Sequence, residues 1–425
     1  MKKSLVPVTH KVNAEVTLPG SKSMCNRALL IAAMAKGTTT LNNMLFSDDV
    51  EACIEALKIL GVGLEVNQQN RQVVVYGCNG VFPNKEAKIF TREAGTLTRF
   101  LIPLCAAQKS GDFYFSASER MMERPLAELM EVLESQGCEI DYHGKAGYMP
   151  FTLKPKGLKG GEETVCGKKS SQFFSGLLLA SIFAEKDFVL ISETDHRQPY
   201  VEMTASMMKV FGVDVEVIKS GYQIKSGLHY QGHVYTVEPD VSTASYFWAL
   251  AAITNGSVCV KHTTLVSEQG DIRFLEVLEA MGCCIRYEAE GIRVIGAACL
   301  KGVTVNMRNF SDTFMTVAVV ACFAEGETLI EGLSHTRLQE SDRVSAMVDG
   351  LKRFGVKVEE LEDSLKIFPI ERMQGAEVLA YNDHRIAMSL SLMGLKVSGV
   401  VIDGAECVKK TCPDYFERMS GILYV

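Results

Sequence analysis

Hydrophobic residues along the chain fall in long Ala/Leu-rich runs, each ending near a glycine and each leading into a short β-rich segment. The first run grows out of Leu18-Pro19-Gly20-Ser21-Lys22-Ser23-Met24-Cys25-Asn26-Arg27-Ala28-Leu29-Leu30. Pro19-Gly20 breaks a strand-like stretch, Ser21 or Ser23 can cap a helix, and Gly37 is a natural stop, so the pattern predicts a helix over 21–37. The same run recurs near Gly95, Ser170, Ser242, Ser311 and Asp383, at intervals of 74, 75, 72, 69 and 72 residues. Strands are predicted behind the runs at 39–41, 113–115, 188–191, 258–260, 328–330 and 400–402. Five copies carry a second, more amphipathic helix, at 50–60, 125–135, 201–211, 272–281 and 344–354, closed by Gly61, Gly137, Gly212, Gly282 and Gly355. Further strands follow at 64–66, 139–142, 214–218, 284–287 and 357–361, and the sixth copy reads as cut short.

Six copies of a unit of about 70 residues are too long for common solenoid repeats and suit a βαβ-type unit whose helices are buried on several faces. The expected organisation is α/β, with two domains of three units each. One is continuous, 20–239. The other is discontinuous, 1–19 with 240–425, the second crossing lying near Glu238-Pro239-Asp240.

Polar residues gather at the predicted helix starts. They are Lys22, Ser23 and Arg27; Gly95 and Thr96, with Arg124 opening a second helix; Ser170-Ser171-Gln172; Asp312 and Glu340-Ser341-Asp342-Arg343; Asp383-His384-Arg385; and Lys410 near the end. A cation in a helix's first turn opposes the helix dipole, which favours anions there. Cations placed beside free backbone N–H groups therefore point to a bound phosphate or carboxylate. Gly20-Ser21-Lys22-Ser23 lacks the Gly-Lys pair and the upstream glycine of a P-loop. If the two domains face each other, Lys22, Arg27, Arg124, Arg343, Arg385 and Lys410 can line one cleft for a substrate with several negative charges.

Composition narrows the picture. The chain has 425 residues, 47% hydrophobic and 22% charged, with a net charge of −7, which argues against general nucleic-acid binding. No apolar run approaches a membrane span, and the start shows no signal-peptide core. Thirteen cysteines without Cys-x-x-Cys spacing read as reduced thiols of a cytoplasmic protein; neither a metal site nor a disulfide framework is expected.

At these residues the chain resembles the enolpyruvyl transferases, most closely the EPSP synthase family. Residues 18–29 and Asp383-His384-Arg385-Ile386-Ala387-Met388 look like that family's two signatures. Glu123-Arg124-Pro125-Leu126, Ser170-Ser171-Gln172, Pro199-Tyr200-Val201-Glu202, Glu340-Ser341-Asp342-Arg343 and the segment from Lys410 to Phe416 match in order and spacing. The resemblance implies a two-domain inside-out α/β barrel, each domain of three βαβαββ units, with the active site in the interdomain cleft. It implies transfer of the enolpyruvyl group of phosphoenolpyruvate to shikimate 3-phosphate, without a cofactor, by a cytoplasmic monomer. By analogy Lys22, Gly95, Arg124, Gln172, Arg343, Arg385 and Lys410 bind phosphoenolpyruvate. Lys22, Ser23, Arg27, Ser170, Ser171, Gln172, Arg197, Tyr200, Asp312, His335 and Gln339 bind shikimate 3-phosphate. Lys22, Asp312 and Glu340 carry the proton transfers.

Four positions depart from the family pattern: Glu93 for Asn, Arg197 for Ser, His335 for Asn and Gln339 for Lys. Gln339 removes a cation and Arg197 adds one, which suggests compensation; a different acceptor alcohol is the alternative. Leu97 and Phe100 also replace the usual Ala and Pro. Two rivals stand beside this reading. One is the enolpyruvyl transferase acting on UDP-N-acetylglucosamine, whose usual loop cysteine is missing from 118–124. The other is a non-catalytic ligand-binding paralogue, which has no need of a carboxylate at each reacting proton.

Overall fold

The computed structural model describes residues 1–165, 170–193 and 198–423. Its chain divides into two compact units, Gly20–Val237 and Met1–Pro19 with Glu238–Val425. Each has its own apolar core, one centred on the helices Lys22–Met34, Gly95–Ala106 and Ser171–Ser181, the other on Val241–Thr254, Phe314–Ala321 and His384–Ser391. These are the Ala/Leu-rich runs. A helix apolar on every face must be covered on every face, and Val241–Thr254 is buried along its whole length.

The repeated unit is a strand, a core helix, a strand, an outer helix and a hairpin. Its sheet is built the same way in five copies. In one of them Glu86–Phe90 runs parallel to Asp112–Ser116, which pairs antiparallel with Phe151–Lys154, itself paired with Glu139–Tyr142. Each unit also borrows a leading strand from its own boundary. Val234–Thr236 runs parallel to Thr38–Asn42, and Asn13–Val16 runs parallel to Ser257–Lys261.

The five glycines closing the outer helices do one job. Gly61, Gly137, Gly212, Gly282 and Gly355 take φ of 85, 102, 88, 104 and 85°. The next residue donates its N–H five residues back: Val62 to Leu57 O, Cys138 to Leu133 O, Val213 to Met208 O, Cys283 to Leu278 O and Val356 to Leu351 O, at 2.9–3.2 Å. That is a Schellman stop, in which only glycine adopts the left-handed turn without strain and the apolar residue after it seals the end.

Three details differ from the expectation. The first helix ends at Met34 with Ala35 already extended, and Gly37 makes its φ of 89° two residues further on. Ser21 occupies the N-cap position without a side-chain bond. The sixth copy does have a second helix, Tyr415–Leu423, and Lys2–Ser4 pairs antiparallel with Val401–Asp403, where the other copies place a strand of their own hairpin. Among the described residues no helix is long and apolar enough to cross a membrane.

Candidate functional site

The predicted site residues fall into clusters, three in the unit Gly20–Val237 and one in the other. The first holds Lys22, in the first turn of Lys22–Met34. Its Nζ lies 3.1 Å from Asp49 Oδ2, and both side chains are less than a tenth exposed. Asp49 sits in the first turn of Asp48–Ile59, where the helix dipole favours a carboxylate. The pairing offsets the poor position of Lys22 at its own helix start. Asp49 was not legible as a functional residue, because Ser47-Asp48-Asp49 reads as an ordinary cap and first turn.

The second cluster is Arg27. Its Nε donates to Thr204 Oγ1 at 2.8 Å, Nη1 to Ser23 O at 3.0 Å and Nη2 to Tyr200 O at 2.8 Å. The guanidinium is fully buried, and no described carboxylate pairs with it. Burial pulls its pKa down to about 9. Ser23 and Tyr200 thus meet Arg27 through their backbone carbonyls, and both side chains stay half-buried.

The third cluster surrounds the start of Gly95–Ala106. A Cβ on Gly95 would lie 2.8 Å from Nη1 of both Arg124 and Arg99, so two guanidinium groups crowd an N-terminus that no side chain caps. Arg99 Nη1 donates to Gln172 Oε1 at 2.7 Å, and Gln172 Nε2 donates to Thr96 Oγ1 at 3.2 Å. Arg124 is buried and forms no ion pair with a described carboxylate. A buried guanidinium without a counter-charge is costly unless a ligand supplies one. Two cations, free helix N–H groups and a carboxamide form a set chemically suited to an anion. Arg99 and Thr96 join it beyond the expected set. Ser170 caps Ser171–Ser181 by accepting the Gln172 N–H at 3.2 Å, and Ser171 opens that helix. Glu93 is half-buried on the loop before Gly95. Arg197 lies outside the described residues.

The fourth cluster is a chain of alternating charges. Arg385 Nη2 donates to Asp312 Oδ2 at 2.7 Å, and Arg343 Nη1 to Asp312 Oδ1 at 3.0 Å. Arg343 Nη2 donates to Glu340 Oε2 at 2.9 Å, and Lys410 Nζ lies 3.5 Å from Glu340 Oε1. Three cations thus alternate with two carboxylates. Asp383 buttresses the centre: Oδ2 accepts from Arg343 Nε at 2.8 Å and from Ser341 Oγ at 3.1 Å, while Oδ1 caps His384–Ser391 by accepting the Arg385 N–H at 3.0 Å. Burial works against the charge on Arg343, but Asp383, Glu340 and Asp312 outweigh it and hold the group above its ordinary range. Arg385 behaves alike, with Asp312 its main support against burial.

The side chains around this chain are less regular than expected. Asp312 lies on the short 3-10 helix Arg308–Thr313 and Lys410 at the end of another, Ala405–Lys410, so neither occupies an α-helix first turn. His335 pairs through Nε2 with Ser311 Oγ at 2.8 Å, and burial lowers its pKa, with Arg308 adding to the effect. Gln339 accepts a hydrogen bond from Arg343 Nη1, which a lysine there could not do. Asp271, absent from the expected set, is buried and accepts from Ser242 Oγ. Burial pushes its carboxyl up to about 7, and Asp312 adds repulsion. Among the described residues no cluster of metal-ligating side chains occurs.

Comparison with known proteins follows the same lines. Residues 6–419 match the family model described as EPSP synthase (3-phosphoshikimate 1-carboxyvinyltransferase). The chain is 41% identical over 414 residues to the 3-phosphoshikimate 1-carboxyvinyltransferase of Nostoc punctiforme, covering 97% of each chain. It is 40% identical over 428 residues to that of Sulfurovum sp. strain NBC37-1, covering 99% and 98%. It superposes on the structure of EPSP synthase from Acinetobacter baumannii with a TM-score of 0.83 at 27% identity, covering 99% and 98%.

Proposed function

Since the chain belongs to the EPSP synthase (3-phosphoshikimate 1-carboxyvinyltransferase) family, we propose that it transfers the enolpyruvyl group of phosphoenolpyruvate to the 5-hydroxyl of shikimate 3-phosphate. The products are 5-enolpyruvylshikimate 3-phosphate and phosphate. The observation that carries the reading is the alternating chain Arg385, Asp312, Arg343, Glu340, Lys410. It offers three cations to an anionic substrate and keeps two carboxylates among them.

The reaction needs both. The hydroxyl loses a proton as its oxygen bonds to C2 of phosphoenolpyruvate, and the methylene carbon gains one. In the second half the C2–O bond to phosphate breaks, the methyl group returns a proton, and phosphate leaves. Asp312 takes the hydroxyl proton, Glu340 exchanges the proton at the methylene carbon, and Lys22 serves the departing phosphate. General acid–base groups of this kind each contribute about 10²–10⁴-fold. Arg343, Arg385 and Lys410, with Gly95, Arg124 and Gln172, hold phosphoenolpyruvate and stabilise its developing charge. Arg27, Ser23, Ser170, Ser171, Tyr200, His335 and Gln339 hold the acceptor, and Arg197 supplies the cation that Gln339 lacks. The protein works as a cytoplasmic monomer without nucleic acid, in keeping with its net charge of −7.

Phosphate release from phosphoenolpyruvate tests the reading. Release is expected with shikimate 3-phosphate and not with UDP-N-acetylglucosamine. Release with the nucleotide sugar alone, or with neither, overturns it.

A further inference from the structure

We infer that Phe100 is a positioning residue, whose ring holds the Arg27 guanidinium in the geometry that receives the acceptor's anion. The Arg27 guanidinium carbon lies 4.9 Å from the Phe100 ring centroid, and both residues are buried. The three acceptors that fix Nε, Nη1 and Nη2 are all neutral: a hydroxyl and two carbonyls. No described carboxylate pairs with the cation, and its electrostatic support among its packing partners comes from Tyr200 and from the ring's negative π face. Three of five N–H groups are committed and one face of the plane is covered. The plane of the guanidinium is therefore held in one orientation. For a buried guanidinium, a cation–π contact reaches the upper part of its range.

The ring also stands on a helix with a second task. Gly95–Ala106 begins at the glycine that Arg124 and Arg99 crowd. Phe100 thus ties Arg27 to the element whose start at Gly95 is suited to an anion. This inference rests on the reading that Arg27 binds shikimate 3-phosphate.

The test grades the ring's electron density at nearly constant size. Phenylalanine at position 100 is replaced by analogues with one, two and three ring fluorines, beside Phe100→Leu. Shikimate 3-phosphate affinity should fall stepwise with each fluorine, by about 5- to 30-fold in total, and Phe100→Leu should match the last step. Phosphoenolpyruvate KM should stay level across the fluorinated series, which a purely packing role would also allow. A purely packing role would leave the acceptor affinity level as well, and that result overturns the inference. A second readout needs no substrate: exchange of the Arg27 Nε proton, followed by nitrogen-15 NMR, should quicken along the same series. Should the parent protein fail to turn over shikimate 3-phosphate, the functional reading falls. A level exchange rate defeats the Phe100 role itself.

Discussion

Replacing Asp383 by asparagine tests whether the alternating charge chain depends on its buttress. Asp383 is fully buried and meets Arg343 through Nε at 2.8 Å and Nη2 at 3.4 Å. Its other bonds are to Ser341 Oγ and the Arg385 N–H. Asparagine keeps the shape and one acceptor oxygen but removes the charge, and it turns an amide toward either Arg343 or the helix start. Breaking a buried ion pair on one side costs about 3–5 kcal/mol. Arg343 retains Asp312 and Glu340, which sets the expectation at the lower end, about 3 kcal/mol. The assay is urea unfolding followed by Trp248, the single tryptophan, which lies in the same unit with its Nε1 bonded to Ile292 O at 3.1 Å. Ser341→Ala removes one partner of the same carboxylate and should cost about 1 kcal/mol. A loss below about 1 kcal/mol for Asp383→Asn refutes the view that a buried pair anchors Arg343.

Other outcomes follow from the same geometry. Gly95→Ala pushes a methyl group against Arg124 and Arg99; phosphoenolpyruvate KM should rise about tenfold or more, the loss of one charge-assisted bond, while shikimate 3-phosphate affinity stays level. Arg197→Ala should weaken shikimate 3-phosphate about 10- to 150-fold on titration, sparing phosphoenolpyruvate; equal affinity would favour another acceptor alcohol. Asp271 titrates near 7 in the folded chain, above its ordinary 3.8, so between those values the folded state holds a proton the unfolded state has lost. Stability therefore falls as pH rises through that window, at most by about 1.4 kcal/mol per unit, and Asp271→Asn should flatten the slope in pH-dependent unfolding.

The parts of the fold written in local pattern were legible. The five outer helices end where Gly is followed by an apolar residue, as at Gly61-Val62 and Gly355-Val356, because that pair closes a helix by itself. The partner of Lys2–Ser4 was not legible, since its pairing with Val401–Asp403 spans almost the whole chain. In the site, Arg343 and Arg385 stood out through their charge beside helix starts. Asp49 did not, because an acid in a first turn has an ordinary use there, and only the fold brings Lys22 to 3.1 Å. Thr204 carries no chemical signal of its own, and Phe100 stood out only as a departure from the family pattern. They matter through what they hold, which distance reveals and spacing does not.

Glu340→Gln bears most directly on the proposed chemistry. The carboxyl accepts from Arg343 Nη2 at 2.9 Å and lies 3.5 Å from Lys410 Nζ. Glutamine keeps the shape and an acceptor but cannot exchange a proton with the methylene carbon of phosphoenolpyruvate. The measurement is turnover in D₂O with shikimate 3-phosphate, following deuterium entry into the methylene group. The account predicts a fall in kcat of at least about 100-fold, a parallel fall in deuterium uptake, and acceptor binding close to that of the parent. Turnover within a few-fold of the parent, with undiminished uptake, would contradict it and pass the proton to Lys22 or Asp312.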